Sequence, residues 1–156
     1  MAVKPVPEGY HTITPSLSID GAADAIEFYK RAFGASERMR MPMPDGKIAH
    51  AELQIGDSIV MVSDPFEQAT AKPPTEIGGT SVGLFLYVED VDEWHKRAVD
   101  AGGTSTMEPE DQFWGDRFAS VTDPYGHQWQ LATHVEDLSE EEMQRRSQEA
   151  MAAMSS

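Results

Sequence analysis

From Thr12 to Ile19 the chain (TITPSLSI) alternates and is rich in hydroxyl and β-branched side chains, which predicts a half-buried strand. The period then changes to that of a helix. Ile26, Tyr29 and Phe33 recur on one face, Asp20 stands where an N-cap is needed, and Gly34 stands where the left-handed C-cap falls. The same succession returns later. Val82 to Val88 (VGLFLYV) reads as a strand, Asp90 and Glu93 form a capping-box pair, Val91, Trp94 and Ala98 give an apolar face, and Gly102 ends the helix. Lys30-Arg31-Ala32 before Gly34 is matched by Lys96-Arg97-Ala98 before Gly102.

Each helix is followed by glycine turns and strands. In the first copy Asp45-Gly46 precedes a strand from Ile48 to Ile55, and Gly56-Asp57 leads to another from Ser58 to Ser63. In the second copy Trp114-Gly115-Asp116 opens a strand from Arg117 to Thr122. Asp123-Pro124-Tyr125-Gly126 is read as a turn and no more, and a strand from His127 to Thr133 closes the series. Gly46 to Met61 and Gly115 to Gln130 have equal spacing, which sets a register between the copies.

The pattern predicts an α+β fold of two βαβββ modules in one domain, residues 1–137. Module one covers about 10–64 and module two about 81–134, with a connector over 65–80, rich in Pro and Gly, that is long enough to act as a mobile link or lid. From residue 138 to 156 the pattern changes to an added helix, opened by a Ser139–Glu142 capping box with acids in its first turn. Met143 and Met151 are placed to pack on the body or on a second subunit.

Composition narrows the function. Twenty-seven acidic against twelve basic side chains give a formal charge of −15, which repels nucleic-acid phosphates and anionic membrane surfaces. No apolar run approaches the ~20 residues that cross a bilayer, and the start, MAVKPVPEGYH, has no apolar h-region. A cytoplasmic protein without nucleic-acid or membrane partners is expected. The absence of cysteine excludes disulfide and thiolate chemistry. No P-loop, dinucleotide glycine fingerprint, zinc-finger spacing or G-x-S-x-G elbow occurs, and no cofactor is expected.

The repeat, with the stretches DGAADAIEFYKRAFGA, KIAHAELQIGDSIVMVSDP and FWGDRFASVTDPYGHQWQLATH, resembles the PhnB-like branch of the glyoxalase/bleomycin-resistance/dioxygenase superfamily, over roughly Pro7 to Asp137. The resemblance implies eight strands curved around a cavity and a homodimer that completes or borders it. In the metal enzymes of that superfamily, four strand positions carry His, Gln or Glu. Aligning the helix starts and the DPxG turn puts them at Thr14, Met61, Gly83 and Gln130. A hydroxyl, a thioether, no side chain and one amide make a poor site for a divalent ion, so no metal is expected there.

Strand parity sorts the remaining side chains. With Thr14 and Met61 facing the cavity, Thr12, Ser16, Ile59 and Ser63 join them. In the second copy Gly83 brings Phe85 and Tyr87, and Gln130 brings Gln128. The opposite face, Val82, Leu84, Leu86, Val88, Trp129 and Leu131, is apolar, as a helix-covered face should be, and Phe28, Tyr29, Phe33 and Trp94 are assigned to that packing. His50, Glu52 and Gln54 form a polar row, either a solvated outer face or a pocket wall in which His50 and Glu52 work as an acid/base pair. Trp114 is placed to stack on a planar ligand or to fill the core, and Arg117 to hold a carboxylate or pair with Asp116. His11, by parity, faces away from Thr14; His95 reads as surface and His134 as a strand end, none with a catalytic role.

These readings favour a protein that binds a small aromatic or amphipathic molecule, with Thr14, Ser16, Met61, Phe85, Tyr87, Trp114, Arg117 and Gln130 around the ligand. The alternative is an enzyme: a metal-independent isomerase or lyase using His50 and Glu52, or, ranked last, a metal-dependent lyase or dioxygenase using His11, His50 and Glu52.

Overall fold

The computed structural model describes residues 2–155 and realises the repeat as two four-stranded sheets. Module one runs β1 (Ser16–Ser18), α1 (Ala22–Phe33), β2 (Ser36–Pro42), β3 (Ile48–Ile55) and β4 (Ser58–Ser63), and one helical turn, α2 (Pro74–Ile77), lies in the connector. Module two runs β5 (Gly83–Tyr87), α3 (Val91–Asp100), β6 (Thr104–Asp111), β7 (Asp116–Thr122) and β8 (Gln128–His134), and α4 (Glu140–Met154) follows. The orders are β1-β4-β3-β2 and β5-β8-β7-β6, with β1 parallel to β4 and β5 parallel to β8. This is the two-module α+β fold, with no closed barrel.

The register agrees with the repeat. Ser16 lies opposite Met61 and Phe85 opposite Gln130, so the two modules are superimposable at those rows. They also share an anchoring device. Asp64, just after β4, accepts backbone N–H bonds from Gly21 and Ala22 at the start of α1 and from Ile48. Thr133 in β8 accepts the N–H of Val91 at the start of α3 and donates to the Val88 carbonyl. Satisfying the orphan N–H groups of each first helical turn from a strand fixes how the helix leaves its sheet.

Asp20 is therefore not the N-cap of α1. Gly21 occupies that position in the left-handed region (φ 92°), and Asp64 supplies the acceptor. Gly34 does make the left-handed C-cap, and Asp90 and Ser139 accept from the N–H groups of Glu93 and Glu142. The first strand is shorter than the alternation suggested. Pro15 has no N–H for the ladder, and residues 11–15 run as coil, so strand parity does not order Thr12, Thr14 or His11. The strands β2 and β6 both carry register shifts against their partners, and in β2 the alternation of burial is broken.

The helix-bearing faces of both sheets meet in one core. Phe33 of α1 packs on Trp129 of β8 (centroids 4.6 Å apart) and on Trp94 of α3 (6.1 Å). Along β3, Ala51, Leu53 and Ile55 are buried while His50, Glu52 and Gln54 are half-buried on the other side. Both remaining sheet faces consequently point outward. His95, expected at the surface, is buried and bonds Ser105 Oγ at 2.8 Å, because α3 lies across β6 with that side. Val82, expected on the helix side, is 64% exposed, since it precedes β5.

The Asp123 turn does more than reverse the chain. Its buried carboxylate takes Tyr29 Oη from α1 (2.5 Å), Trp129 Nε1 (2.9 Å) and the N–H groups of Tyr125 and His127, joining the two modules. The connector is held as well. Pro74 is buried, and a Cβ at Gly126 would come within 2.7 Å of the Pro74 Cβ, so the DPYG turn and α2 are in close contact.

Candidate functional site

A cleft of about 1100 Å³ opens along β5, the terminal strand of its sheet. One wall comes from module one: residues 11–15 before β1 and the β3–β4 turn from Ile55 to Val60. The other is β5 itself with Trp94, Trp129, Thr133 and His134. Because β5 is an edge, the cleft touches both its faces, Leu84 and Leu86 toward the core and Phe85 and Tyr87 toward the outside. Phe85 and Tyr87 are 5.1 Å apart, and Phe118 of β7 stands 5.9 Å from Phe85, giving an aromatic shelf at the mouth.

Of the side chains placed around a ligand by sequence, Thr14, Phe85 and Tyr87 line this cleft. Ser16 instead borders a smaller cavity of about 340 Å³ beneath the connector, with Ser18, Ser63, Asp64, Gln68 and Thr70. Gln130 is on the same outward face as Phe85, its strand partner, and its amide lies over Gly83, where a Cβ would meet Oε1 at 2.9 Å. Met61 is on the outward face of the other sheet, beside Glu52 and Ser16. Trp114 and Arg117 are outside the cleft lining. Arg117 does hold carboxylates, those of Asp92 on α3 (2.7 and 3.0 Å) and Asp111 (3.1 Å), and not that of Asp116, because successive strand residues point to opposite faces.

The His50–Glu52 pair forms, with Nε2 3.3 Å from Oε2, flanked by Met41 and Met39 across β2–β3. Neither side chain reaches the cleft. His11 is there instead, its Nε2 3.3 Å from the Asp57 carbonyl. His11, His50 and Glu52 thus do not assemble, and among the described residues no group of three His, Asp or Glu stands where it could hold a metal ion.

The group that sequence reasoning missed is centred on Asp116. Its carboxylate, 2% exposed as a residue, accepts from His134 Nδ1 (2.8 Å), Tyr87 Oη (2.9 Å) and Trp114 Nε1 (3.0 Å). Asp116 and His134 are direct cross-strand partners on β7 and β8. Sequence alone reads His134 as a strand end and Asp116 as a turn residue beside Arg117; the β7–β8 register is what pairs them. Burial opposes ionisation of Asp116, yet the three donors outweigh it and hold its pKa below the usual carboxylate value. Its bond to Asp116, then that to Asp137, raises the His134 pKa above 6.5, and the same carboxylate raises that of Tyr87.

The signs follow from linkage. The His134 contribution to stability is fully present below the unfolded imidazole value and is lost as pH rises through the elevated folded one. The Asp116 contribution is present above the unfolded carboxylate value and is lost as pH falls through the depressed one. An NMR titration of the His134 imidazole should give a midpoint above 6.5 that falls in Asp116→Asn. An unchanged midpoint in that variant would contradict the assigned bond.

Known proteins match this geometry and sequence. The chain is 44% identical over 147 residues to the uncharacterized protein Mb0911c of Mycobacterium bovis, covering 92% of each. The crystal structure of TioX from Micromonospora sp. ML1 aligns with TM-score 0.66 at 30% identity, over 80% of this chain and 99% of that one. A gene product of Arabidopsis thaliana, At5g48480, aligns with TM-score 0.64 at 26% identity, over 79% and 98%. The model of the Glyoxalase/Bleomycin resistance protein/Dioxygenase superfamily matches residues 11–131, most of both modules, and the chain belongs to that superfamily.

Proposed function

We propose that the protein binds a small aromatic or amphipathic molecule in the cleft along β5, and does so as a homodimer without a metal. The observation that carries this reading is the cleft itself: about 1100 Å³, with Ile13, Leu84, Phe85, Leu86, Tyr87 and Trp94 giving a mainly apolar and aromatic lining, and His11, Asp57, Glu89, Thr133 and His134 among its polar groups. Large apolar clefts with sparse polar anchors are the usual form of small-molecule sites.

The donor chemistry supports binding over metal-assisted catalysis. The positions at which the superfamily's metal enzymes carry ligands hold Thr14, Met61, Gly83 and Gln130 here, and the Gln130 amide is folded over Gly83. Those residues do not fit a divalent ion, which wants several imidazole or carboxylate donors. The metal-independent alternative has the His50–Glu52 contact in its favour, but that pair is not part of the cleft.

Exposed apolar side chains support the dimer. Met39 and Met41 are exposed on one outward sheet face, and Phe85 and Tyr87 on the other. A second copy that bordered the cleft would take part of this apolar surface out of water.

A thermal-shift screen tests the reading. Aromatic and amphipathic compounds should raise the melting temperature by mass action, and zinc, nickel, manganese and ferrous ions should not. A divalent ion that stabilised the chain at a stoichiometry of one, while every aromatic compound failed, would overturn it.

A further inference from the structure

The cleft carries one polar anchor of unusual construction, and its present occupant indicates what the ligand brings. His134 is oriented from behind: Nδ1 donates to buried Asp116, itself fixed by Tyr87 and Trp114, so the ring has one direction available. Its other nitrogen, Nε2, lies 2.8 Å from Oδ1 of Asp137, whose side chain is fully exposed. Asp137 is delivered there by a pinned segment. The Gly115 carbonyl accepts the N–H groups of Val135 and Glu136, and the Glu136 carboxylate is gripped by both Nη atoms of Arg146 on α4 (2.8 and 2.9 Å). A tethered but solvated carboxylate therefore occupies the outer nitrogen of an imidazole at the edge of an aromatic cleft.

We infer that His134 is the ligand anchor of the cleft, and that it takes the carboxylate of an aromatic acid whose ring lies against Phe85 and Tyr87, with the ligand displacing Asp137 from Nε2. The inference rests on the small-molecule reading of the cleft and names its ligand class. The charged and titratable groups around the imidazole are Asp116 on β7, Asp137 on its own segment, and Tyr87 and Glu89 on the β5 side; His11 and Asp57 line the opposite wall. Among the described residues that line the cleft there is no lysine or arginine. In a chain of charge −15, the groups in the described lining that can answer an anion are the imidazoles of His134 and His11; the His11 ring is turned to the Asp57 carbonyl, whereas His134 is aimed by buried Asp116 and already holds a carboxylate, whose hydrogen bond the ligand takes over. A cationic ligand would face an imidazolium, and a neutral one would leave Asp137 in place. Charge-assisted hydrogen bonds of this kind are stronger than neutral ones and give direction as well as affinity.

Calorimetric titration of the full chain with 2-naphthoate, 2-naphthylmethanol and 2-naphthylmethylammonium tests this. Naphthoate should bind about tenfold more tightly than the alcohol at pH about 6, where the imidazole is charged, and the advantage should fade by about pH 9. Asp137→Asn should strengthen naphthoate binding several-fold by replacing the charged acceptor at Nε2 with a weaker neutral one, a gain that a purely structural role for Asp137 does not produce. His134→Gln should abolish the preference for naphthoate, with alcohol binding reporting that the cleft is still formed. The anchor is refuted if His134→Gln keeps the preference, if Asp137→Asn weakens naphthoate, or if the ammonium compound binds best. Binding of all three compounds without regard to His134 refutes the anchor alone. If none of the three binds the parent chain, the cleft reading falls and the anchor falls with it.

Discussion

Asp123→Ala is expected to cost about 3–5 kcal/mol of stability, the largest effect of any single substitution in the turn regions. One carboxylate satisfies Tyr29 Oη, the Trp129 indole N–H and two backbone N–H groups, all in the seam between α1 and β8. Alanine strands every one of these donors away from water. Burial and the Asp123 charge both push the Tyr29 pKa up, so the phenol remains a donor across the accessible pH range and depends on this acceptor. For a domain of this length such a loss lowers the melting temperature by roughly 10 °C or more. Tyr29→Phe removes one donor together with its bond and should cost only about 1 kcal/mol. Calorimetry on the two variants checks the ranking; a near-neutral Asp123→Ala would show that the modules are not joined there.

The second large effect concerns the outward face of β5. Phe85 is 45% exposed in the single chain and makes its ring contacts with Tyr87 and Phe118 at the mouth of the cleft. Phe85→Asp should leave the fold intact, because the helix-side core of Leu84, Leu86 and Trp129 is untouched. It should reduce binding of naphthalene compounds by at least tenfold and shift the chain from dimer to monomer, since a desolvated carboxylate on an apolar interface costs several kcal/mol. Light scattering and calorimetric titration read both outcomes. Unchanged mass and affinity would remove β5 from site and interface together.

Much of this architecture was legible in sequence. The recurrence of strand, capped helix and glycine turns, and the equal spacings to Met61 and Gln130, carried both modules and their register. The missed features share a physical cause. Asp64 caps α1 in place of Asp20 because the acceptor sits just past a strand, 43 residues away in the chain. Periodicity along a helix holds no record of such a partner. His95 reads as surface from its lysine neighbour, yet helix α3 turns that side onto Ser105 of β6.

The site was legible in part. Parity correctly placed Phe85 and Tyr87 on one face of β5, and that face borders the cleft. It also led to His50 and Glu52, a genuine pair on a face that the cleft does not include. Parity identifies which residues share a face, whereas a cleft at a strand edge draws on both faces and on coil from the other module. Sequence alone reads His134 as a strand end and Asp116 as a turn residue beside Arg117, and neither reading points to the other. Only the β7–β8 ladder makes them partners, and only the segment after β8 brings Asp137 to the free nitrogen.

The cleft along β5 as the binding site is tested most directly by amide chemical-shift mapping with 2-naphthylmethanol, a probe that does not depend on the carboxylate anchor. Saturating amounts should shift Leu84 to Glu89, Ile55 to Val60 and Ile13. Shifts confined to Met39, Met41, His50 and Glu52, or none at all, would contradict the account.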